Sequence, residues 1–324
     1  MIKQQILDIL KKHQRFLIAA HIHPEGDAIG SQLAMAHLLK KMGKTVRIVN
    51  ADAVPYNLGF LPDAALIENC RAVAPETLNF DAALILDCPV LERVGAVQNL
   101  LNNALIVNID HHISNNDFGA VNWVDAKASS TGEMIYKLFK NSATPLDPAS
   151  ALYLYVAIMT DTGSFHYSNT TSATHHIAAE LLSYDINPTK IYEHIYETKS
   201  FETMKLLAEV LTGLKRSRDG KYVWFKVTLD MLKKNNLTDE STEDFIDFVR
   251  MVEGAEVVAF LRETRSRHIV KVSLRSKSAI DVNAIAKHFG GGGHYAASGC
   301  VIEKTIDEAE KLLVSRIRAA MRKD

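Results

Sequence analysis

The sequence predicts an α/β protein of two domains: an N-terminal parallel sheet with helices on both faces, then a smaller α+β domain. Three observations predict it. Short continuous apolar runs at 16–20, 46–49, 82–86 and 104–109 are separated by helical segments, the pattern of a parallel sheet buried on both faces. Beyond 215, strand patterns at 222–227, 257–262 and 269–275 crowd together, as in a mixed sheet. The 324 residues are too many for one ordinary domain and enough for two cores.

Taken in order, the run 16–20 leads into 27–42, whose apolar spacing is helical and which stops at Gly43, a usual helix terminator. Strands follow at 46–49, 82–86 and 104–109, then helices at 131–140 and 149–160. A largely helical stretch runs from 172 to 214, interrupted at Pro188. This places the first domain at 1–188, a helical connector at 189–214 and the second domain at 215–324. Asp219-Gly220 is a turn signal ahead of strand 222–227, and the polar residues 263–268 join the next two strands as a hairpin. An Asp-capped helix at 281–289 and a closing helix at 306–321 complete the chain.

The longest apolar stretches, such as 149–159, fall short of the ~20 residues that span a membrane. The N-terminus alternates polar with apolar residues and reads as a helix, not a signal peptide. Three separated cysteines without a CxxC pair exclude a disulfide framework or thiolate zinc site and suit a reducing cytoplasm. A net charge of −1 argues against gripping long duplex DNA. The charge is uneven: residues 1–214 hold 16 Lys and Arg against 22 Asp and Glu, and residues 215–324 hold 21 against 16. An acidic half and a basic half suit a metal site and an anion-binding site, although a solvated hairpin explains the basic segment 262–277 as well.

Ligands of open parallel sheets collect beyond the carboxyl ends of the strands. Here three strands run into metal-binding residue types: the first into His21, Glu25 and Asp27, the third into Asp87, and the fourth into Asp110, His111 and His112. Carboxylates favour hard cations and imidazole borderline ones, so the mixture suits Mn²⁺, with Co²⁺, Fe²⁺ or Mg²⁺ as substitutes. Clustered carboxylates repel without cations; two ions ~3.5–4 Å apart would neutralise them and clamp a phosphate for in-line attack. Asp87, from mid-sheet, is placed to bridge both. Successive side chains of an extended strand face opposite ways, so His111 and His112 should have different tasks, one on metal and one on substrate phosphate. The run of Gly290, Gly291, Gly292 and Gly293 with His294 follows a helix and lacks the Lys-Ser/Thr of a P-loop. It permits close backbone approach to an anion, and equally it is a flexible loop.

Five blocks in order, His21-Ile-His-Pro-Glu25-Gly-Asp27-Ala-Ile-Gly-Ser31, Leu86-Asp87, Asp110-His111-His112, Thr160-Asp161-Thr162-Gly163-Ser164-Phe165 and Gly290-Gly-Gly-Gly-His294-Tyr-Ala-Ala-Ser298-Gly299, resemble the signature of the DHH phosphoesterases with a DHHA1 C-terminal domain. The blocks span 21–299, nearly the whole chain. The compact architecture resembles the branch that degrades nanoRNA and dephosphorylates 3′-phosphoadenosine 5′-phosphate (pAp). That resemblance implies one metal on His21, Glu25 and Asp87, and another on Asp27, Asp87, His111 and Asp161. It implies that His112 contacts the scissile phosphate, that Asp110 orients a neighbour, and that Arg275 and His294, with Gly291, Gly292 and Gly293, hold the nucleotide. The family commonly has Asp where this chain has Glu25. The implied partners are short single-stranded RNA or DNA fragments and small nucleotides, with a cytoplasmic enzyme, no membrane, and a homodimer as in many relatives. The alternatives are a cyclic-dinucleotide phosphodiesterase, an inorganic pyrophosphatase and a non-catalytic nucleotide sensor. The glycine-His run, which in the family accompanies nucleotide substrates, weighs against the pyrophosphatase.

Overall fold

The computed structural model describes residues 2–321 other than 102, 103, 243, 278, 279 and 294, and of residues 239 and 240 the backbone only. The chain divides into two compact units, Met1–Thr198 and Lys199–Asp324.

In the first unit, β1 (Arg15–Ala19), β2 (Thr45–Asn50), β3 (Ile67–Asn69), β4 (Ala82–Leu86), β5 (Leu105–Asp110) and β6 (Val121–Val124) form one sheet of order β3-β2-β1-β4-β5-β6. Every pairing is parallel. The sequence reading found the four central strands and missed the two at the edges. β3 is the half-buried tripeptide Ile-Glu-Asn and β6 alternates as Val-Asn-Trp-Val, so neither makes a continuous apolar run.

Side-chain alternation divides the core between the two faces. Phe16, Ile18, Leu84 and Leu86 point into a cluster built with α1 (Ile2–Lys12), α2 (Gly26–Lys41), α3 (Thr131–Ser142), α4 (Pro148–Asp161), α5 (Ser172–Leu182) and α6 (Pro188–Tyr196). Leu17, Ala19, Ala83 and Ile85 point the other way, onto 3₁₀ turns that contribute Cys70, Val94 and Val97. Each fully buried Leu or Ile stabilises the fold by roughly 1.5–3 kcal/mol. Helices α2 and α4 pack so closely that a Cβ on Gly30 would collide with the Tyr153 carbonyl oxygen, and one on Gly26 with Thr160. Helix α4 starts at Pro148 because Asp147 caps it, its carboxylate accepting from Ser150 N–H at 2.7 Å.

The second unit contains α7 (Phe201–Thr212), β7 (Lys215–Arg216), β8 (Tyr222–Val227), α8 (Leu229–Lys234), α9 (Phe245–Arg250), β9 (Val257–Glu263), β10 (Val270–Ser276), α10 (Val282–Lys287), β11 (Gly292–Gly293), β12 (Ala297–Ile302) and α11 (Ile306–Ala320). Its sheet has the order β11-β12-β10-β9-β8-β7, parallel at β8–β9 and antiparallel elsewhere. Val257, Ala259, Val272 and Leu274 face α10 and α11. Val223, Phe225, Val258 and Phe260 face α7, α8 and α9. The stretch 189–214 does not stand apart from the two units. Ile191 and Ile195 of α6 join the first core, while Leu206, Leu207 and Val210 of α7 join the second. Among the described residues, no helix is long and apolar enough to cross a membrane.

Candidate metal centre

Strand order in the first sheet reverses between β1, which continues leftward to β2, and β4, which continues rightward to β5. Such a switch point leaves a crevice beyond the strand ends, because the connections diverge there. His21 leaves β1 at this crevice and Asp87 leaves β4, and they meet across it: His21 Nε2 lies 3.4 Å from Asp87 Oδ2. The other oxygen, Asp87 Oδ1, lies 3.6 Å from His111 Nε2 and 3.7 Å from His112 Nδ1, both just past β5. Asp87 reaches all three from a left-handed backbone, φ 54°, which Asp tolerates better than most residues.

Two more carboxylates arrive from helices. Asp161, the last residue of α4, sets Oδ2 3.5 Å from His111 Nε2. Asp27, in the first turn of α2, sets Oδ2 3.8 Å from the same atom. Asp27, His111 and Asp161 therefore offer one cluster of three donor atoms, and Asp87, His111 and His112 a second. Asp161 sits at the negative end of its helix dipole, a poor place for a carboxylate and a good one for a cation.

The electrostatics point the same way. Burial, with the charges of Asp87 and Asp161, pushes the Asp27 carboxyl well above its ordinary range, against hydrogen bonds from Gly132 and Thr131 N–H. Those N–H groups, at 2.8 and 2.7 Å, open α3. Burial pushes Asp161 up to about 6, opposed by the charge of His111 and reinforced by that of Asp87. Asp87 goes the other way. Burial would raise it, but the hydrogen bond from His21 and the charges of His111, His21 and His112 hold it well below the usual carboxylate range. Burial would lower His21, and the hydrogen bond and charge of Asp87 outweigh it, raising the imidazole. Three carboxylates around one imidazole, two of them reluctant to ionise unaided, form a hard and borderline donor set that fits divalent cations.

Most of the expected site residues come together here: His21, Asp27, Asp87, Asp110, His111, His112 and Asp161. Glu25 is exposed, and among the described residues it belongs to neither donor cluster. The expectation that His111 and His112 face opposite ways fails. The strand ends at Asp110, so alternation no longer applies, and the two rings lie 4.8 Å apart, both against Asp87. What separates them is their partners, since His112 Nδ1 is 2.7 Å from Asp110 Oδ1.

In the second unit, Arg275 is half-buried on β10. The glycine run forms structure: Gly291 N–H donates to Ala286 O at 3.0 Å, and a Cβ at Gly291 would collide with the Gly299 carbonyl oxygen. Gly292 and Gly293 pair with Gly299 and Ser298. The Gly291 N–H is thus already committed within the chain. His294 lies outside the described residues.

Several supporting residues escaped the sequence reading. Asn115 Nδ2 donates to Asp110 Oδ2 at 2.6 Å, and Asn169 Nδ2 reaches Asp161 Oδ2 at 3.3 Å. Thr131 donates its hydroxyl to Asp87 Oδ1 at 3.2 Å, and Arg93 approaches His21 Nδ1 at 3.3 Å. Only Thr131 carried a signal, as the first residue of a helix capped by Ser130. The amides of Asn115 and Asn169 and the guanidinium of Arg93 match no metal-ligand pattern in the sequence and carry none.

A parallel sheet whose switch point gathers two histidine–carboxylate clusters, joined to a mixed-sheet unit, defines a two-domain phosphoesterase of the metal-dependent type. The chain belongs to the DHH family: the DHH family N-terminal domain matches residues 15–158 and the DHHA1 domain residues 219–323. A Thermus thermophilus protein named bifunctional oligoribonuclease and PAP phosphatase NrnA is 32% identical over 304 residues, covering 93% of this chain and 88% of that one. The Bacillus subtilis protein of the same name is 28% identical over 316 residues, 96% of each chain. Among solved structures, an exopolyphosphatase-related protein from Bacteroides fragilis superimposes with a TM-score of 0.92 at 27% identity, over 99% of this chain and 95% of that one.

Proposed function

We propose that this protein is a hydrolase that uses divalent metal ions to cleave short single-stranded oligonucleotides and to remove the 3′-phosphate of pAp. The observation that carries this reading is the Asp87 carboxylate, with one oxygen toward His21 and the other toward His111 and His112. A carboxylate so placed would offer one oxygen to each of two cations. Relatives named oligoribonuclease and PAP phosphatase along nearly the full chain support the substrate class.

His21 and Asp87 would hold one ion, and Asp27, Asp87, His111 and Asp161 the other. Glu25 reaches the first only by moving from its exposed position. Mn²⁺ suits the mixed donors best, with Co²⁺ or Mg²⁺ as substitutes. When bound, the ions supply charge for a phosphoryl group and an acidified water. The chain's own residues do the rest. His112, raised by Asp110 and its neighbours against the effect of burial, is a hydrogen-bond donor for a phosphoryl oxygen. Asp110 fixes the ring by holding Nδ1, itself fixed by Asn115. Arg275 and His294 bind the nucleotide as anion partners.

The test is product analysis with Mn²⁺ on RNA and DNA of two to twenty-four nucleotides, pAp, linear and cyclic dinucleotides and pyrophosphate. Cleavage of fragments up to roughly five nucleotides and of pAp, falling with length, is the expected result. Preference for cyclic dinucleotides or pyrophosphate, or binding without turnover, would replace it with one of the alternatives.

A further inference from the structure

In the second unit one face of the sheet is only partly covered. Helices α7, α8 and α9 pack over β8 and β9, with Asp247 of α9 near Arg275, and the same face leaves Lys271 of β10 and Val301 of β12 exposed. Register gives its composition. Residues 271, 273 and 275 of β10 alternate with Val270, Val272 and Leu274, which are buried on the opposite face. Across the strands, Lys271 pairs with Arg262 of β9 and Val301 of β12, Ser273 with Phe260 and Gly299, and Arg275 with Val258 and Ala297. The strip beside these helices is thus three rows deep. A cationic row, Lys271 with Arg262, lies on one side of a row of small residues, Ser273 and Gly299, and Arg275 lies on the other.

The middle row leaves room. A cavity of about 400 Å³ opens there, bordered by Arg262, Lys271, Ser273, Gly299 and Phe289. Among the described residues, none that borders it is acidic. Lys271 is exposed, and no ion pair within 4.0 Å involves it among the described residues. Four residues of extended strand put the backbones of Lys271 and Arg275 roughly 13 Å apart. Each end of the strip can therefore hold its own phosphate, with a nucleoside over the small residues between them.

We infer that Lys271, with Arg262 opposite it, forms a second phosphate-binding position, distinct from Arg275, that engages a further phosphodiester of a single-stranded RNA fragment. This rests on the oligonucleotide reading above and adds to it a residue that sets preferred length. A substrate with one phosphate besides the scissile one uses Arg275. A fragment with two or more phosphates besides the scissile one also reaches Lys271.

The experiment compares wild type, Lys271→Ala and Lys271→Arg in two assays. One is kcat/KM on dinucleotide and pentanucleotide RNA with Mn²⁺. The other is equilibrium binding of fluorescent phosphorothioate-linked RNA of both lengths over a salt series. Lys271→Ala should lower the ratio of pentanucleotide to dinucleotide kcat/KM about five- to tenfold, mostly through KM, and Lys271→Arg should restore it. For the pentanucleotide alone, the slope of log Kd against log salt should fall by about 0.7, the loss of one single-strand phosphate contact. An equal effect on both lengths, or none, would overturn the site even if the wild type cleaves both. Wild type that cleaves neither RNA, yet binds the pentanucleotide in a Lys271-dependent way, would sink the hydrolase reading and leave the site standing.

Discussion

His112 and Asp110 meet closely, Nδ1 to Oδ1 at 2.7 Å, and Asp110 is fully buried beneath the ring. That contact sets the proton on Nδ1 and leaves Nε2 as the atom able to meet a ligand. Asp110 is also held by Asn115, so the ring's orientation is fixed two partners deep.

The division of labour between the adjacent histidines follows from these partners. His111→Ala should lose bound metal and rate together. His112→Ala should keep its metal and lose roughly 10²–10⁴ in kcat. Asp110→Asn should lose about tenfold to a hundredfold, with metal content unchanged. Elemental analysis beside kcat decides the matter, and equal metal loss in both histidine variants would contradict it.

The metal-free protein should respond oppositely to two similar substitutions. Asp161 titrates higher folded than unfolded, near 6, so its contribution is fully present below about pH 4 and lost as pH rises through 6. Asp161→Asn should therefore gain about 2 kcal/mol over wild type at pH 8 with chelator present, and almost nothing at pH 4. Asp87 is depressed by three imidazoles, so Asp87→Asn removes their counter-ion and should cost about 3 kcal/mol at neutral pH. Mn²⁺ should raise the melting temperature of wild type and of neither variant. Urea unfolding across pH reads all of this, and a destabilised Asp161→Asn would show that the acids do not repel.

How much of this was legible in the sequence depends on where the signal lay. The central strands and the histidine–carboxylate set were readable because strand ends and ligands are neighbours in the chain: Ala20 precedes His21, and Leu86 precedes Asp87. The edge strands β3 and β6 were not, because partial exposure removes the apolar run. Glu25 stands exposed and outside both donor clusters of the described residues, since a motif position guarantees nearness in sequence but not inward direction. The His111–His112 geometry escaped because alternation ends with the strand, and a sequence does not show where that falls to within one residue.

A third prediction concerns the far end of the helix that carries Asp161. Asp147 caps α4 and pairs with Lys41 at 2.9 Å. Burial would raise its carboxyl, but the Ser150 N–H and the Lys41 side chain bring it down to about 2. A depressed carboxyl contributes stability above about pH 4, lost as pH falls toward 2. Asp147→Ala should cost about 1–2 kcal/mol at pH 7, with the difference narrowing on acidification. Urea midpoints at pH 7 and pH 3 would test it; a constant difference would leave packing, not charge, as the cause.

The last prediction separates close packing from ligand support within one helix layer. Gly30 of α2 and Gly132 of α3 both lie against α4, where an added Cβ at Gly30 would meet the Tyr153 carbonyl oxygen and one at Gly132 would stand 2.5 Å from Ala157 Cβ. Both alanine variants must push a helix aside, and each should lose about 1–3 kcal/mol of stability. Only Gly132 also serves the metal site. Its N–H donates to Asp27 Oδ1 at 2.8 Å, and a new Cβ would lie 3.4 Å from that oxygen. Shifting α3 would withdraw this donor and the Thr131 N–H together, leaving a buried carboxylate with fewer partners and even less inclined to ionise. Gly132→Ala should therefore weaken Mn²⁺ affinity roughly tenfold, whereas Gly30→Ala should keep near wild-type affinity despite a similar loss of stability. Calorimetric Mn²⁺ titration beside urea unfolding gives both quantities for each variant. Metal affinity that tracks stability alike in the two would mean that the α3 N–H pair contributes nothing specific to Asp27.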